Sequence, residues 1–332
     1  AFGWLTFSGT AFSPFLLGDQ EPIVQNSVLH SVATISSGWG DSFSPIAAFT
    51  VALNWVIGGG ESFPFQATQI GIHLFNALLV FLLARYLLPE RKGEALPMVA
   101  GLCFAAHPLA ANVVNTLVDR DVLLTTFFIL MSLTLYASAV CADKTGWTRL
   151  TLSVISFGFA WACGAWAWIL PILIVSIHLA ARGWVKFRTN MLPAAVFLPL
   201  TVVFLLSDVY ALNAANDARL SFGMPLRDTD YLTTYFSAWV APGTESWMYL
   251  PADQNASFPM LFGMFVLAGC IAIVRFPRVG FIILWPLIVC IGTSTGLASD
   301  AFRNAHIYPA SVSFAIVVPL ILFRFPMGKP RT

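Results

Sequence analysis

Charge is what this sequence has least of. Of its 332 residues, 10% are Asp, Glu, Lys or Arg against 58% hydrophobic, and the mean hydropathy is +0.79. Soluble domains carry about 25% charged residues, so that class is excluded. No polar tract is long enough to stay disordered. A net charge of +1 leaves no polybasic surface, so nucleic acid is not an expected partner. Cysteine is also scarce. Cys103, Cys141, Cys163, Cys270 and Cys290 fall in or at the end of apolar stretches with no CxxC spacing. They read as small buried hydrophobes, with neither a zinc site nor a disulfide framework. No Walker loop, HExxH or GxSxG is present, and no repeat of 20–50 residues is visible. The histidines never pair at i,i+4, so no metal site is expected.

What is present is a series of long hydrophobic runs. A helical span needs roughly 20 apolar residues, or about 17 at the short end. Candidates fall at 1–17, 64–88, 96–107, 121–141, 149–164, 166–182, 191–206, 258–275, 279–296 and 307–324. The third is too short alone and must continue into 108–118 or stop part-way. Residues 149–182 have the length of two spans, with Gly164 as the turn. The expected fold is an all-α polytopic membrane protein of about ten transmembrane helices, forming one membrane domain over 1–332. The sequence opens on Ala1 rather than Met, so it reads as processed or incomplete.

Lys and Arg set the orientation. With the 89–95 loop in the cytoplasm, the inner side holds Arg85, Arg91, Lys92, Lys144, Arg149, Arg182, Lys186, Arg188, Arg275, Arg278, Arg324, Lys329 and Arg331. The outer side holds only Arg120, Arg219, Arg227 and Arg303. Both termini are then cytoplasmic and the large loops lie outside. A bacterial inner membrane with a periplasmic outer face is the expected location. The acids divide the other way, which places the polar chemistry on the outer face.

The first outer loop, 18–63, is expected to hold two interfacial helices. In 22–36, Val24, Val28, Val32 and Ile35 recur at helical spacing behind Pro22. In 45–57, Ile46, Phe49, Leu53 and Val56 do the same. There Ser44 is the candidate N-cap, Pro45 the first-turn residue and Gly58-Gly59-Gly60 the stop. Residues 207–257 form a second large outer loop, with an interfacial helix expected at 229–240. It ends in the formal glycosylation sequon Asn255-Ala256-Ser257.

Several stretches, read in order, carry a resemblance. They are Gly18-Asp19-Gln20-Glu21-Pro22, Ser44-Pro45-Ile46 running into Asn54, His73-Leu74-Phe75-Asn76, His107-Pro108, Asp119-Arg120-Asp121, and His306-Ile307-Tyr308-Pro309. Together they resemble the membrane domain of C-type (GT-C) glycosyltransferases that usually carry tetratricopeptide repeats, relatives of the protein O-mannosyltransferases. The resemblance implies a GT-C-like core and an acid after the first span that serves catalysis. It also implies a donor sugar on a polyprenyl-phosphate lipid and a hydroxyl acceptor on the outer face. Asp19 or Glu21 would take the acceptor proton. His107, Arg120, Asp121, Arg303 and His306 would meet the lipid phosphate. No other cofactor and no metal is expected.

The departures from that family pattern fall on polar positions. Its two consecutive acids are Asp19 and Gln20 here, with Glu21 next in line. Its Arg-Pro-Leu is Ser44-Pro45-Ile46. A second His and a Glu after His-Pro are Ala110 and Asn112. The acid of its Gly-Arg-x-Asp pattern is displaced by one position. Its Lys-Glu ahead of Pro171 is Gly164-Ala165, and its Arg-Tyr is loosely kept as Arg303 and Tyr308. Losing one stabilising charge can cost about 3–4 kcal/mol of barrier. The leading expectation is therefore a catalytically degenerate relative, a pseudoenzyme acting as a structural or accessory subunit among membrane lipids and other membrane-protein subunits. The alternative is an active glycosyltransferase.

The residues also have plainer readings. Asp19 and Glu21 suit a solvated helix N-terminus. His107 suits a cap. Arg120 and Asp121 suit structural pairing with each other or with Asp119. Arg303 and His306 suit an ordinary interfacial loop, and Trp161, Trp166 and Trp168 an aromatic belt.

Overall fold

The computed structural model describes residues 7, 9, 11–15, 19–32, 43–88, 93–142, 146–214, 257–294 and 304–322. Every regular element among them is helical. The helices are α1 (Pro45–Gly58), α2 (Ser62–Leu87), α3 (Ala95–Ala105), α4 (Pro108–Asn115), α5 (Arg120–Cys141), α6 (Trp147–Cys163), α7 (Leu170–Thr189), α8 (Phe197–Ala214), α9 (Ser257–Arg275), α10 (Pro277–Ser294) and α11 (Ser311–Leu322). A single turn, Leu192–Ala195, precedes α8.

Among the described residues three helices are long and apolar enough to cross a membrane: Ser62–Leu87, Leu117–Cys141 and Trp166–Val185. The bent pair Ala95–Ala105 and Pro108–Asn115, at 51°, makes four if it is one span. The remaining apolar helices are shorter, such as Pro277–Gly292 and Ile307–Leu322. The bend has a local cause. A residue before proline is pushed out of the α region, and His107 sits at φ −67, ψ 130 ahead of Pro108. The expected break after 107 is where the chain breaks. Gly164 likewise adopts extended backbone between α6 and a 3-10 segment, Ala165–Ile169, dividing 149–182 as expected.

Other expectations are corrected. Residues 11–15, placed in the first span, are turn and irregular chain; Pro14 there denies a helix interior its hydrogen bond. The helix expected over 22–36 is instead a π-helical turn at Gln20–Val24 and a 3-10 turn at Ser27–His30. Asn26 separates them, its side chain accepting from Val28 N–H at 3.2 Å. That local bond competes with a continuous helix. The inward residues are Ile23 and Leu29, not the Val24, Val28 and Val32 stripe. Helix α8 runs to Ala214, so the second outer loop starts later than 207. The helix expected at 229–240 and Asn255 lie outside the described residues. Cys141 and Cys270 are exposed rather than buried.

Helix α1 forms as its punctuation dictates. Pro45 opens it, and Gly59 closes it at φ 59 with its N–H donating to Trp55 C=O at 2.8 Å. The Ser44 side chain makes no cap bond. The stripe Phe49, Leu53 and Val56 faces outward, while Ala47, Ala48, Val51 and Ala52 face the bundle. Small residues let α1 approach α2 closely.

Helix α5 is the hub. It packs on α2, α6 and α7, while α3 packs on α2 and α11, and α10 links α7 to α9. Most of its side chains are buried, including Leu123, Leu130, Leu133 and Tyr136. Ser132 on α5 and Ser153 on α6 bond each other's backbone carbonyls at 2.8 and 2.7 Å. Small hydroxyl residues at a helix contact are a common membrane device.

Candidate functional site

Two of the polar residues singled out by the resemblance, Asp19 and Arg120, meet inside the bundle. Arg120, first residue of α5, is fully buried. Its Nε donates to Gln69 Oε1 at 3.1 Å and one Nη to Phe65 C=O at 3.0 Å. The other Nη donates to Asn54 Oδ1. The guanidinium also lies over the Phe65 ring, 5.9 Å from its centroid. Arg120 thus ties α1, α2 and α5 together. Planar, rigid and permanently charged, a guanidinium suits such a fork.

Asp19 is also fully buried. Its Oδ1 accepts from the backbone N–H of Leu117 at 3.0 Å and of Val118 at 3.3 Å. Those groups open the helical run leading into α5, where the macrodipole favours an anion. Asp19 interacts electrostatically with Arg120. The carboxylate is therefore a buried cap on another helix, not a solvated residue at its own. Asp121 accepts from Val122 N–H at 2.9 Å and is half-buried.

His107 is buried at the bend between α3 and α4. Its Nδ1 accepts from Leu109 N–H at 3.2 Å, and its ring packs edge-on against Phe314 at 4.9 Å. With Nδ1 accepting, the proton belongs on Nε2, and Nε2 has no hydrogen-bond partner among the described residues. Of Glu21 and His306 only the backbone is described: Glu21 in the π-helical turn, His306 in the 3-10 segment Asn304–Ala310. Arg303 lies outside the described residues. The structure brings Asp19 and Arg120 together and leaves His107 at the bend.

A second cluster escaped the reading of single residues. His73, on α2, is held at both nitrogens. Nε2 lies 3.2 Å from Ala105 C=O and Nδ1 2.9 Å from Tyr308 OH. Asn76 Nδ2 donates to the same hydroxyl at 3.1 Å and to Leu123 C=O at 3.2 Å. One proton arrangement satisfies all of it: His73 Nε2–H gives to Ala105, Tyr308 O–H gives to His73, and Asn76 gives to Tyr308. Gln69 Nε2 donates onward to the carbonyls of Val113 and Thr116 at 3.2 and 3.1 Å. The available signal was a polar stripe, Gln66, Gln69, His73 and Asn76, at helical spacing on an otherwise apolar span. All four are buried. Among the described residues no group of His, Cys, Asp or Glu is placed to hold a metal ion.

Among the described residues, helices apolar enough to cross a membrane enclose a buried polar seam, which is the build of an integral membrane protein. No family model matches the chain, and no solved structure matches it. Among curated proteins, it is 35% identical over 86 residues to Protein O-mannosyl-transferase Tmtc1 of Drosophila melanogaster, covering 26% of this chain and 10% of that protein. It is 24% identical over 167 residues to Protein O-mannosyl-transferase TMTC3 of Mus musculus, covering 46% of this chain and 18% of that one. The Homo sapiens TMTC3 is 22% identical over 167 residues. The similarity is distant, and the chain matches under a fifth of the length of these relatives.

Proposed function

We propose that the protein is a GT-C-like membrane protein of about ten spans whose catalytic apparatus has degenerated, and that it serves as a structural or accessory subunit of a larger membrane assembly. One observation carries this reading. Asp19, the acid at the position expected of a base, caps the start of α5 from full burial. A general base must reach the acceptor hydroxyl within hydrogen-bonding distance or through one water. Arg120 supports the same reading, because its fork is directed at Gln69, Asn54 and Phe65. The polar departures at Gln20, Ser44, Ala110, Asn112 and Gly164 add to it.

The second reading is an active transferase, favoured by what the curated relatives are called. A sugar would leave a polyprenyl phosphate as its anomeric C–O bond breaks. The acceptor oxygen would bond the anomeric carbon and pass its proton to Asp19 or Glu21. His107 Nε2–H is a buried donor suited to the leaving phosphate. Arg120, Asp121, Arg303 and His306 would complete that contact. In either reading the working face is opposite the side rich in Lys and Arg. The relatives are animal proteins, so a bacterial inner membrane is not part of the proposal.

The test is purification in mild detergent, with mass spectrometry of co-eluting proteins and lipids, alongside a transfer assay with a polyprenyl-phosphate mannose donor. The accessory reading expects fixed stoichiometry with other membrane proteins, and no transfer. Transfer that is abolished by Asp19→Asn overturns it and establishes the enzyme.

A further inference from the structure

Three arginines gather on the opposite side of the molecule, around the last turn of α5. Arg182, from α7, donates to the carbonyls of Val140 and Ala142, the latter at 2.8 Å. Arg149, from α6, donates to Ser138 C=O at 3.1 Å. Arg278, from α10, donates to Ala180 C=O at 3.4 Å, two residues before Arg182. Each bond goes to a backbone carbonyl. Among the described residues the ion pair on this side is Arg85–Glu94, at 2.9 Å, and no carboxylate pairs with the other three. Asp143 and Glu90 lie outside the described residues. Carbonyls at a helix C-terminus offset only part of a cation's charge, and most donors of each guanidinium are left over. Arg149 is exposed, and Arg182 and Arg278 are half-buried.

The surface beside this cluster is apolar. On α6, Leu152, Ile155 and Phe159 are 47%, 49% and 47% exposed. They continue at helical spacing from Arg149, so cation and stripe share one face. From 149 to 159 the helix rises about 15 Å, half the roughly 30 Å hydrocarbon core. Trp147 and Trp184 are exposed near the cation end, at the depth where tryptophan marks the membrane–water boundary.

We propose that this face holds one anionic phospholipid, its phosphate seated among Arg149, Arg182 and Arg278 and an acyl chain lying along Leu152, Ile155 and Phe159. Basic pockets between helices on the cytoplasmic side bind such headgroups. The site is independent of any transferase chemistry, which belongs to the other face. It would anchor α5, α6, α7 and α10 to one another from outside the protein.

The test is native mass spectrometry of the full chain released from nanodiscs of phosphatidylcholine doped with phosphatidylserine. The wild type is expected to retain phosphatidylserine in preference to phosphatidylcholine. Arg149→Gln and Arg278→Gln should each lower that retention about fivefold, and Arg85→Gln should leave it in place. Arg182→Gln removes a helix cap and could fail to fold, so the two other variants carry the result. Equal retention of both lipids, or retention unchanged in Arg149→Gln and Arg278→Gln, overturns the proposal. Full displacement of the lipid by millimolar inorganic phosphate overturns it too, because the acyl contact would then contribute nothing.

Discussion

Arg120 shows how much one buried side chain can be asked to hold. It satisfies acceptors on Asn54, Phe65 and Gln69 and sits beside the Asp19 carboxylate. Arg120→Ala would strand those acceptors and a buried anion. Breaking a buried charged network from one side costs about 3–5 kcal/mol. The expected result is a large drop in the thermal midpoint of the detergent-solubilised protein, or failure to accumulate. Arg120→Lys should recover only part of the loss, since an ammonium cannot reproduce the planar fork. Midpoints equal to wild type would show that the cluster does not hold the fold. Tyr308→Phe makes the corresponding test of the second cluster, removing the hydroxyl that joins His73 and Asn76. It should cost about 1–3 kcal/mol, read as a lower midpoint without loss of expression. At this scale little was legible in the sequence. Arg120 and Asn54 are 66 residues apart, and His73 and Tyr308 are 235 apart. Propensity and periodicity act over a few turns and do not report such pairings. The resemblance singled out Arg120, but for chemistry rather than for holding helices together, and it gave Asn54, His73 and Tyr308 no role.

Elements were more legible, and the reason is punctuation. Pro45 and Gly59 delimit α1, Pro108 bends the α3–α4 pair, and Gly164 divides α6 from the 3-10 segment that leads into α7. Each acts through its own backbone, so each can be read locally. The helix expected over 22–36 is absent from its described part, 22–32, because helical spacing of valines looks the same whether or not a chain is helical, and the Asn26 side chain broke the run. Gly164 offers a sharp test. A Cβ there would stand 2.7 Å from Thr125 Oγ1 and 3.1 Å from the Trp166 indole nitrogen. Something must shift, and overpacking of this kind costs about 1–3 kcal/mol. Gly164→Ala should lower the thermal midpoint, and Gly164→Ala with Thr125→Ala should regain part of it. Gly158 is the control, because a Cβ there meets nothing within 4 Å; Gly158→Ala should be neutral or slightly stabilising. If both glycine variants behave alike, crowding at the α6–α7 joint is not what Gly164 is there to avoid.

For the whole molecule, composition alone established a membrane protein, because apolar residues at this density cannot be hidden inside one soluble core. The structure adds where polarity is kept. One polar seam, Asp19, Asn54, Gln69, His73, Asn76, Arg120 and Tyr308, runs inside the bundle, and three arginines whose hydrogen bonds among the described residues go to backbone carbonyls collect at the far end around α5. Buried polar groups in a bilayer must pair with one another, so a seam of this kind fixes which helix faces meet, where lipid-like packing alone would leave them free to slide. That pairing carries a prediction about charge. Arg149, Arg182 and Arg278 lie on the side that the Lys and Arg bias assigns to the cytoplasm. A reporter fused after Thr332 should be cytoplasmic, and a cysteine placed at exposed Val56 of α1 should be labelled from the opposite face by a membrane-impermeant reagent. Labelling of Val56→Cys from the cytoplasmic side would invert the whole assignment. The cation cluster at the other end of α5 would then face outward, and with that would fall the assignment of an outer polar face and an inner lipid-binding one.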